Sequence, residues 1–166
     1  MPRLRAFAPL ATSDAHTLIL GSMPGAASLA AGQYYAHPRN LFWTILGEVL
    51  GIAPELPYVQ RTRALQDRGF ALWDVLGACR RAGSLDARIE PDSAELNDFG
   101  AFFASHRRID RIFFNGATAE RYFLRGVLPV LPASSRGLEL RRLPSTSPAN
   151  ASIPYADKLA AWEALR

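Results

Sequence analysis

Four predicted strands, each followed by small or polar residues, constrain the fold of this chain more than any other feature. They cover residues 17–20, which form an apolar run, and residues 70–73, 109–114 and 138–143, and segments with helical periodicity lie between them. Short apolar runs bounded by turn residues are typical of buried strands, and strands that alternate with helices indicate a parallel sheet covered on both faces. We therefore predict an α/β fold, a three-layer αβα sandwich with a four-stranded, mainly parallel sheet.

Helical periodicity marks the remaining long segments. Apolar residues recur at helical spacing in residues 40–50, 95–106, 117–124 and about 155–165. Asn40 stands where a helix cap would lie, because Asn is among the preferred N-cap residues. The sequence contains no repeat, low-complexity segment or obvious linker, and its 166 residues suffice for one domain with a hydrophobic core but not for two. We predict a single domain over residues 1–166.

Cysteine content and hydropathy exclude several classes of protein. Cys79 is the only cysteine, which rules out an internal disulfide and a clustered thiolate metal site, so we expect neither a metal nor another cofactor. No apolar run approaches the roughly 20 residues that span a bilayer, and the N-terminus lacks the apolar core of a secretion signal. We expect a cytosolic protein without a membrane partner.

The formal charge of +4 is compatible with a polyanionic partner such as DNA. Nearly all the positive charge is arginine, since Lys158 is the only lysine. The planar guanidinium fork of arginine suits phosphate. Many soluble proteins are mildly basic, however, and a compositional bias of the genome would favour arginine in the same way, so charge alone does not decide the partner.

Each predicted strand ends in residues with little bulk or with polar side chains. These residues are Gly21 and Ser22, then Asp74, then Asn115 and Gly116, then Ser145, Thr146 and Ser147. In open α/β sheets, ligands bind beyond the carboxyl ends of the strands. Four such ends can therefore line one cleft, and we predict the functional site there.

The turn at residues 21–25 continues into an aromatic segment at residues 32–43. The turn lacks the Gly-Lys-Ser/Thr ending of a Walker loop and the three glycines of the dinucleotide fingerprint, which disfavours a nucleotide-binding function. Tyr34 and Tyr35 precede Asn40, and paired aromatics beside an amide can form a flat slot with a polar head. Such a slot suits a base flipped out of a duplex, although aromatics alone more often belong to a core.

Five ordered blocks of the chain resemble the uracil-DNA glycosylase superfamily. The blocks are residues 21–25 with 32–43, residues 70–74 with 83–86, residues 113–116, residues 143–149, and Asp157, Lys158 and Trp162 in the last helix. The resemblance covers about residues 16–165. The Ser-Met form of the first block and the Ser-Thr-Ser-Pro-Ala loop look most like the hypoxanthine-DNA glycosylase branch.

This resemblance implies a function in base excision repair. It implies a monofunctional hydrolase that cleaves the N-glycosidic bond of deaminated bases in double-stranded DNA, above all hypoxanthine in deoxyinosine lesions. Two alternatives stay open: removal of uracil or thymine mispaired with guanine, and a noncatalytic module that binds damaged DNA. We expect a monomer associated with the nucleoid, because a DNA cleft needs an open face.

The same resemblance implies roles for individual residues. The catalytic group is Asn40, Ser22 and Met23. The residues expected around the flipped base are Gly21, Pro24, Gly25, Tyr35, Phe42, Asp74 and Asn115. Tyr35 is expected to stack on the base, with Phe42 behind it or in the core. The loop expected to wedge into DNA consists of Pro144, Ser145, Thr146, Ser147, Pro148 and Ala149.

Met23 departs from the pattern of many superfamily members, which carry Asp or Asn at this position to orient the attacking water. A thioether cannot hold a water by a strong hydrogen bond. In the hypoxanthine branch this role is attributed to the Asn that matches Asn40. As alternatives, Asn40 is only a helix cap, worth roughly 1 kcal/mol, Asp74 caps the next segment, and His37 is a surface residue.

The product is predicted from the single lysine. A glycosylase that also nicks the strand usually needs an amine nucleophile. Lys158 lies in the last predicted helix, away from the strand ends. We therefore expect the reaction to stop at an abasic site.

Overall fold

The computed structural model describes residues 1–135 and 137–166. The strands are β1 (Leu4–Arg5), β2 (Thr17–Gly21), β3 (Phe70–Asp74), β4 (Leu76–Cys79), β5 (Glu95–Leu96), β6 (Arg111–Asn115) and β7 (Glu139–Leu143). The α-helices are α1 (Ala26–Ala31), α2 (Phe42–Leu50), α3 (Tyr58–Asp67), α4 (Phe99–Ser105), α5 (Ala117–Tyr122) and α6 (Tyr155–Trp162). Within the described ranges, no helix is long and apolar enough to cross a bilayer.

Four of the strands form the central sheet in the order β3-β2-β6-β7, and every pairing in it is parallel. In register, Gly21 lies opposite Asp74, and Asn115 lies opposite Leu143. Parallel pairing puts the carboxyl ends of all four strands at one edge. The predicted four-stranded sheet is confirmed, and the bounds of its strands lie within two residues of the predicted ones.

The sheet lies between two apolar layers. One cluster joins Leu18, Leu20 and Phe114 to the aromatic residues of α4, while the other joins Ile19 and Phe113 to α2, α3 and α6. Successive side chains of a strand point to opposite faces, so a strand buried on both faces needs an unbroken apolar run. The predicted αβα sandwich is therefore confirmed.

A second, smaller sheet was not predicted, and it corrects one helix. The strands β1, β4 and β5 pair antiparallel in the order β1-β4-β5, with Leu96 opposite Leu76. The helix predicted over residues 95–106 therefore begins only at Phe99, where the Asp98 side chain caps it by accepting a hydrogen bond from the Ala101 N–H. The long-range pairing of Leu96 with β4 overrides the local helical pattern.

Candidate active site

A cavity of about 710 Å³ lies at the carboxyl ends of the four parallel strands. This volume is within the range of small-molecule sites. Of the residues expected at the site, those that line it are Gly21, Ser22, Met23, Pro24, Gly25, Tyr35, Asn40, Asp74, Asn115 and all of residues 144–149. The strand ends thus form one cleft, as the sequence predicted.

Gly21, the last residue of β2, lies in the floor of the cavity between Asp74 and Tyr35. A Cβ at this position would collide with Asp74 Oδ1 and lie only 2.9 Å from Tyr35 Oη. Glycine therefore allows the end of β3 and the Tyr35 ring to approach the same backbone atom. The carboxyl group and the phenol meet beside Gly21 because this residue has no side chain.

The Tyr35 ring forms one wall of the cavity and is supported from behind. It stacks on Phe42 with ring centroids 4.0 Å apart and an interplanar angle of 23°. Tyr35 has a φ of 57°, a left-handed conformation that non-glycine residues adopt at a cost. Phe42 is fully buried and does not line the cavity. Phe42 therefore contacts Tyr35 from the core, which agrees with the expectation that it lies behind the stacking ring, and it does not itself face the space for the base.

Asp74 is a buried carboxyl group at the end of β3, only 3% exposed. Its Oδ2 atom has no hydrogen-bond partner within the part of the chain that the structure describes. Burial and the nearby Asp86 carboxylate raise the pKa of Asp74 to about 7, against the opposing effect of the Arg81 guanidinium. Asp74 caps no helix, since β4 begins two residues later.

A segment between β4 and α4 braces the turn at residues 21–25. The buried Arg81 side chain donates from Nη2 to the Pro24 carbonyl oxygen at 2.7 Å and from Nε to the Gly83 carbonyl oxygen at 2.8 Å. Ser22 Oγ donates to Asp86 Oδ1 at 2.8 Å. Because Arg81 holds the Pro24 peptide, it orients the turn, whose residues all line the cavity.

Arg81 carries no signal in the sequence that marks it as part of the site. It follows Arg80 in the chain, and a pair of arginines looks like solvent-exposed charge. The adjacent block at residues 83–86 matched the superfamily pattern, but no local signal indicates which of these side chains turn inward. Only the tertiary structure brings Arg81 against Pro24.

Asn40 lines the cavity just before α2. Its Oδ1 atom accepts a hydrogen bond from the Phe42 N–H at 2.9 Å, which fixes the orientation of the side-chain amide. The N-cap position of α2 is occupied by Leu41, so the prediction that Asn40 caps the helix is wrong. Water positioning stays open to Asn40, because a carbonyl oxygen has two lone pairs and this bond occupies one of them. The second lone pair can accept a hydrogen bond from a water in the cavity.

Asn115 has a different contact from the one expected at a base edge. Its Nδ2 donates to Thr146 Oγ1, and its Oδ1 accepts from the Thr146 N–H, both at 3.0 Å. The amide therefore ties the end of β6 to the loop after β7. Thr146 is fully buried, so the expectation that its side chain enters DNA is corrected.

The last helix holds the same loop from the other side. Trp162 Nε1 donates to the Pro144 carbonyl oxygen at 2.9 Å. Lys158 Nζ donates to the Asn150 carbonyl oxygen at 2.6 Å, and the lysine is buried. Lys158 was expected to lie away from the strand ends. Instead it contacts the segment that follows β7, although it does not line the cavity.

Met23 and His37 have structural contacts beside the cleft. Met23 is buried in a small cluster with Leu76, Cys79 and Ile89, so its thioether packs the turn onto the smaller sheet. The His37 ring is half-buried at the cavity wall, and its Nδ1 accepts a hydrogen bond from the Arg39 N–H at 3.0 Å. Neither contact orients a water.

Comparison with known proteins identifies the family to which this chain belongs. The model of the Uracil DNA glycosylase superfamily matches residues 9–166. The chain belongs to that superfamily. This finding confirms the resemblance in the sequence and the expected class of enzyme, a DNA glycosylase that acts on DNA.

Relatives within the superfamily match nearly the whole chain. A protein named hypoxanthine DNA glycosylase from Methanosarcina barkeri is 35% identical over 145 residues, 87% of this chain and 86% of the relative. One of the same name from Methanosarcina acetivorans is 33% identical over 164 residues, 97% and 96% of the two chains. The solution NMR structure of a candidate uracil DNA glycosylase from Methanosarcina acetivorans superposes with a TM-score of 0.81 at 32% identity, covering 99% of this chain and 96% of that one.

Proposed function

We propose that this chain hydrolyses the N-glycosidic bond of deoxyinosine in double-stranded DNA, releasing hypoxanthine and leaving an abasic site. The convergence of Tyr35, Asn40 and Asp74 in one cavity at the strand ends carries the proposal. The names of the relatives support the choice of base. We further propose that the chain acts as a monomer on DNA of the nucleoid.

The substrate base must first leave the duplex. Extrusion costs a few kcal/mol and is easiest where base pairing is already poor, as at a deaminated base. In our proposal the flipped purine stacks on the Tyr35 ring, which Phe42 holds rigid from behind. A supported aromatic wall fixes the plane of the base, and the cavity floor then meets its edge.

Bond cleavage needs a positioned water. The water oxygen attacks C1′ of the sugar, the bond from C1′ to N9 breaks, and its electron pair goes to the base. The water gives one proton to the solvent or to the departing base. Asn40 Oδ1, held by the Phe42 N–H, orients this water. An amide is a poor general base, so positioning and electrostatics supply most of the effect.

The departing base carries negative charge, which hydrogen-bond donors stabilise. The main-chain N–H groups of the turn at residues 21–25, braced by Arg81, are donors of this kind. The Asp74 carboxyl group, with its pKa of about 7, is a second donor when it is protonated. When ionised, the same group would repel the departing base.

The test is a cleavage assay on labelled duplexes that contain deoxyinosine, uracil or a G·T mismatch, with alkali added afterwards to reveal abasic sites. We expect release from deoxyinosine, reduced about 100-fold or more in Asn40→Ala because the water loses its position. Lesion binding should stay nearly intact. Gln60→Ala, which removes an exposed amide outside the cavity, is the matched control and should match wild type.

Other results would replace the proposal. Release only from uracil or from mispaired thymine would assign the chain to mismatch repair. Lesion binding without release from any duplex would indicate a noncatalytic module, the outcome that Met23 suggested. Equal activity of Asn40→Ala and wild type would remove Asn40 from the catalytic group.

A further inference from the structure

Apart from Pro144 and Pro148, the loop at residues 144–149 has no apolar side chain of a size that inserts into DNA. Its residues are Pro, Ser, Thr and Ala, and Thr146 is fully buried. Proteins that kink or open a duplex often insert Phe, Leu, Ile, Met or Pro between base steps, because such a wedge replaces the lost stacking. A flipped nucleotide leaves a gap of this kind, which a leucine or isoleucine side chain fills more completely than the prolines, serines and alanine of this loop.

Two larger apolar side chains stand at the rim of the cavity. Of the described residues that line it, Leu85 and Ile153 are the large hydrophobic ones that are exposed, by 50% and 37%. Leu85 precedes the short helical turn Asp86–Arg88, whereas Ile153 precedes α6. Single exposed apolar residues are common on protein surfaces, so exposure alone does not indicate a function. The position and contacts of each residue must be considered as well.

Leu85 is held in place on both sides. The preceding residue, Ser84, accepts a hydrogen bond from the Ala26 N–H at 2.9 Å. The following residue, Asp86, accepts one from Ser22 Oγ at 2.8 Å. These bonds join the side chains on either side of Leu85 to Ser22 and Ala26, and the Leu85 carbonyl oxygen accepts a hydrogen bond from the Arg88 N–H at 2.9 Å. Less conformational freedom therefore remains to be lost on binding. Its side chain nevertheless stays half exposed to water.

We propose that Leu85 is the wedge that enters the base stack when the nucleotide flips. This inference rests on the proposed function and assigns a DNA contact to the braced segment between β4 and α4, outside the loop after β7. Arg88, exposed in the same turn, and Arg142, exposed on the cavity wall and 3.6 Å from the Glu120 carboxylate, supply positive charge for the flanking phosphates. The half-exposed Leu85 side chain is removed from water when it enters the base stack, and burial of apolar surface favours that step.

Comparing duplex with single-stranded substrate tests this role. A wedge is needed only where a stack must be opened, so Leu85→Ala should lower kcat/KM on duplex deoxyinosine about tenfold or more. Its activity on a single strand should stay within about twofold of wild type. Leu85→Met keeps an apolar wedge and should restore duplex activity. Val130→Ala, which truncates an exposed residue outside the cavity, is the matched control.

Fluorescence of 2-aminopurine beside the lesion gives a second readout, because it rises when neighbouring bases unstack. We expect the rise on binding to disappear with Leu85→Ala. Equal losses on duplex and single strand, or no loss on either, would overturn the proposal. A duplex-specific loss in Ile153→Ala instead would transfer the role to Ile153.

The two proposals fail in different ways. If wild type releases no base from any substrate, the proposed function is wrong, yet the fluorescence change on binding still shows whether Leu85 opens the stack. If wild type releases hypoxanthine while Leu85→Ala unstacks the duplex and releases hypoxanthine from it at the normal rate, only the proposed wedge is wrong.

Discussion

At the scale of single residues, the site depends on a carboxyl group that is buried where water cannot compensate its charge. Asp74 lies beside Gly21 and Tyr35, and its Oδ2 has no partner in the described part of the chain. Ionising a buried group is costly, and the Asp86 carboxylate adds to that cost. Arg81 offsets part of it, so the pKa reaches about 7. Asp74 therefore changes charge near neutral pH.

Asp74→Asn tests this property, since asparagine keeps the shape and stays neutral at every pH. We expect the single-turnover rate of wild type on deoxyinosine to fall as the pH rises through about 7, because ionised Asp74 opposes charge on the departing base. The rate of Asp74→Asn should be flat across the same range. Asp92→Asn, which changes an exposed carboxylate, should keep the wild-type profile.

The free energy of unfolding should also depend on the protonation of Asp74. Folded Asp74 keeps its proton up to a pH of about 7, whereas in the unfolded chain it loses it near 4. The contribution of Asp74 to the free energy of unfolding therefore falls as the pH rises from about 4 to about 7. Urea titrations of wild type and Asp74→Asn measure this slope, and identical slopes would assign the titration to another group.

At the scale of elements, the loop after β7 is preformed by contacts with several parts of the fold. Asn115 holds Thr146 from the end of β6, and α6 holds Pro144 and Asn150. The Thr146 carbonyl oxygen also accepts a hydrogen bond from the Leu41 N–H at 3.0 Å, directly beside Asn40. The loop is thus coupled to the start of α2, where the water is to be positioned.

Thr146→Val tests that coupling, because valine keeps the shape but cannot accept the hydrogen bond from Asn115 Nδ2. We expect a loss of about 1–3 kcal/mol in the free energy of unfolding from the unpaired amide, together with a lower rate of base release. Urea denaturation and single-turnover kinetics measure the two effects. Thr44→Val, at an exposed position of α2, is the control. Wild-type behaviour of Thr146→Val would show that the loop holds its shape without this bond.

At the scale of the whole molecule, the positions of the primary amines determine whether the reaction ends at an abasic site or continues to a strand break. The chain has one lysine, and it is buried against Asn150 outside the cavity. The N-terminal residue does not line the cavity either. A Schiff base with the sugar requires an amine that reaches C1′, and neither amine is placed to do so.

We therefore expect no covalent complex when the enzyme acts on deoxyinosine DNA in the presence of sodium borohydride. Strand breaks should appear only after alkali. A lyase that forms a Schiff base serves as the positive control for trapping. A trapped band from this chain would contradict the monofunctional mechanism and would direct attention to Lys158.

The strands β2 and β3 could be predicted from the sequence because they are buried on both faces, and such strands are almost continuously apolar. The ends of the predicted strands located Gly21, Asp74 and Asn115 at one edge. The start of α4 was predicted too early because Leu96 pairs with Leu76, a contact between distant residues. Local periodicity contains no information about such pairs.

The sequence by itself thus determined the layers, the edge at which the site lies and the residues of the turn at 21–25. Only the tertiary structure decided which polar side chains turn inward: Arg81 onto Pro24, Asn115 onto Thr146, and Lys158 onto Asn150. The physical reason is that apolar burial leaves a pattern along the chain, whereas a buried polar group depends on one partner that the fold brings to it.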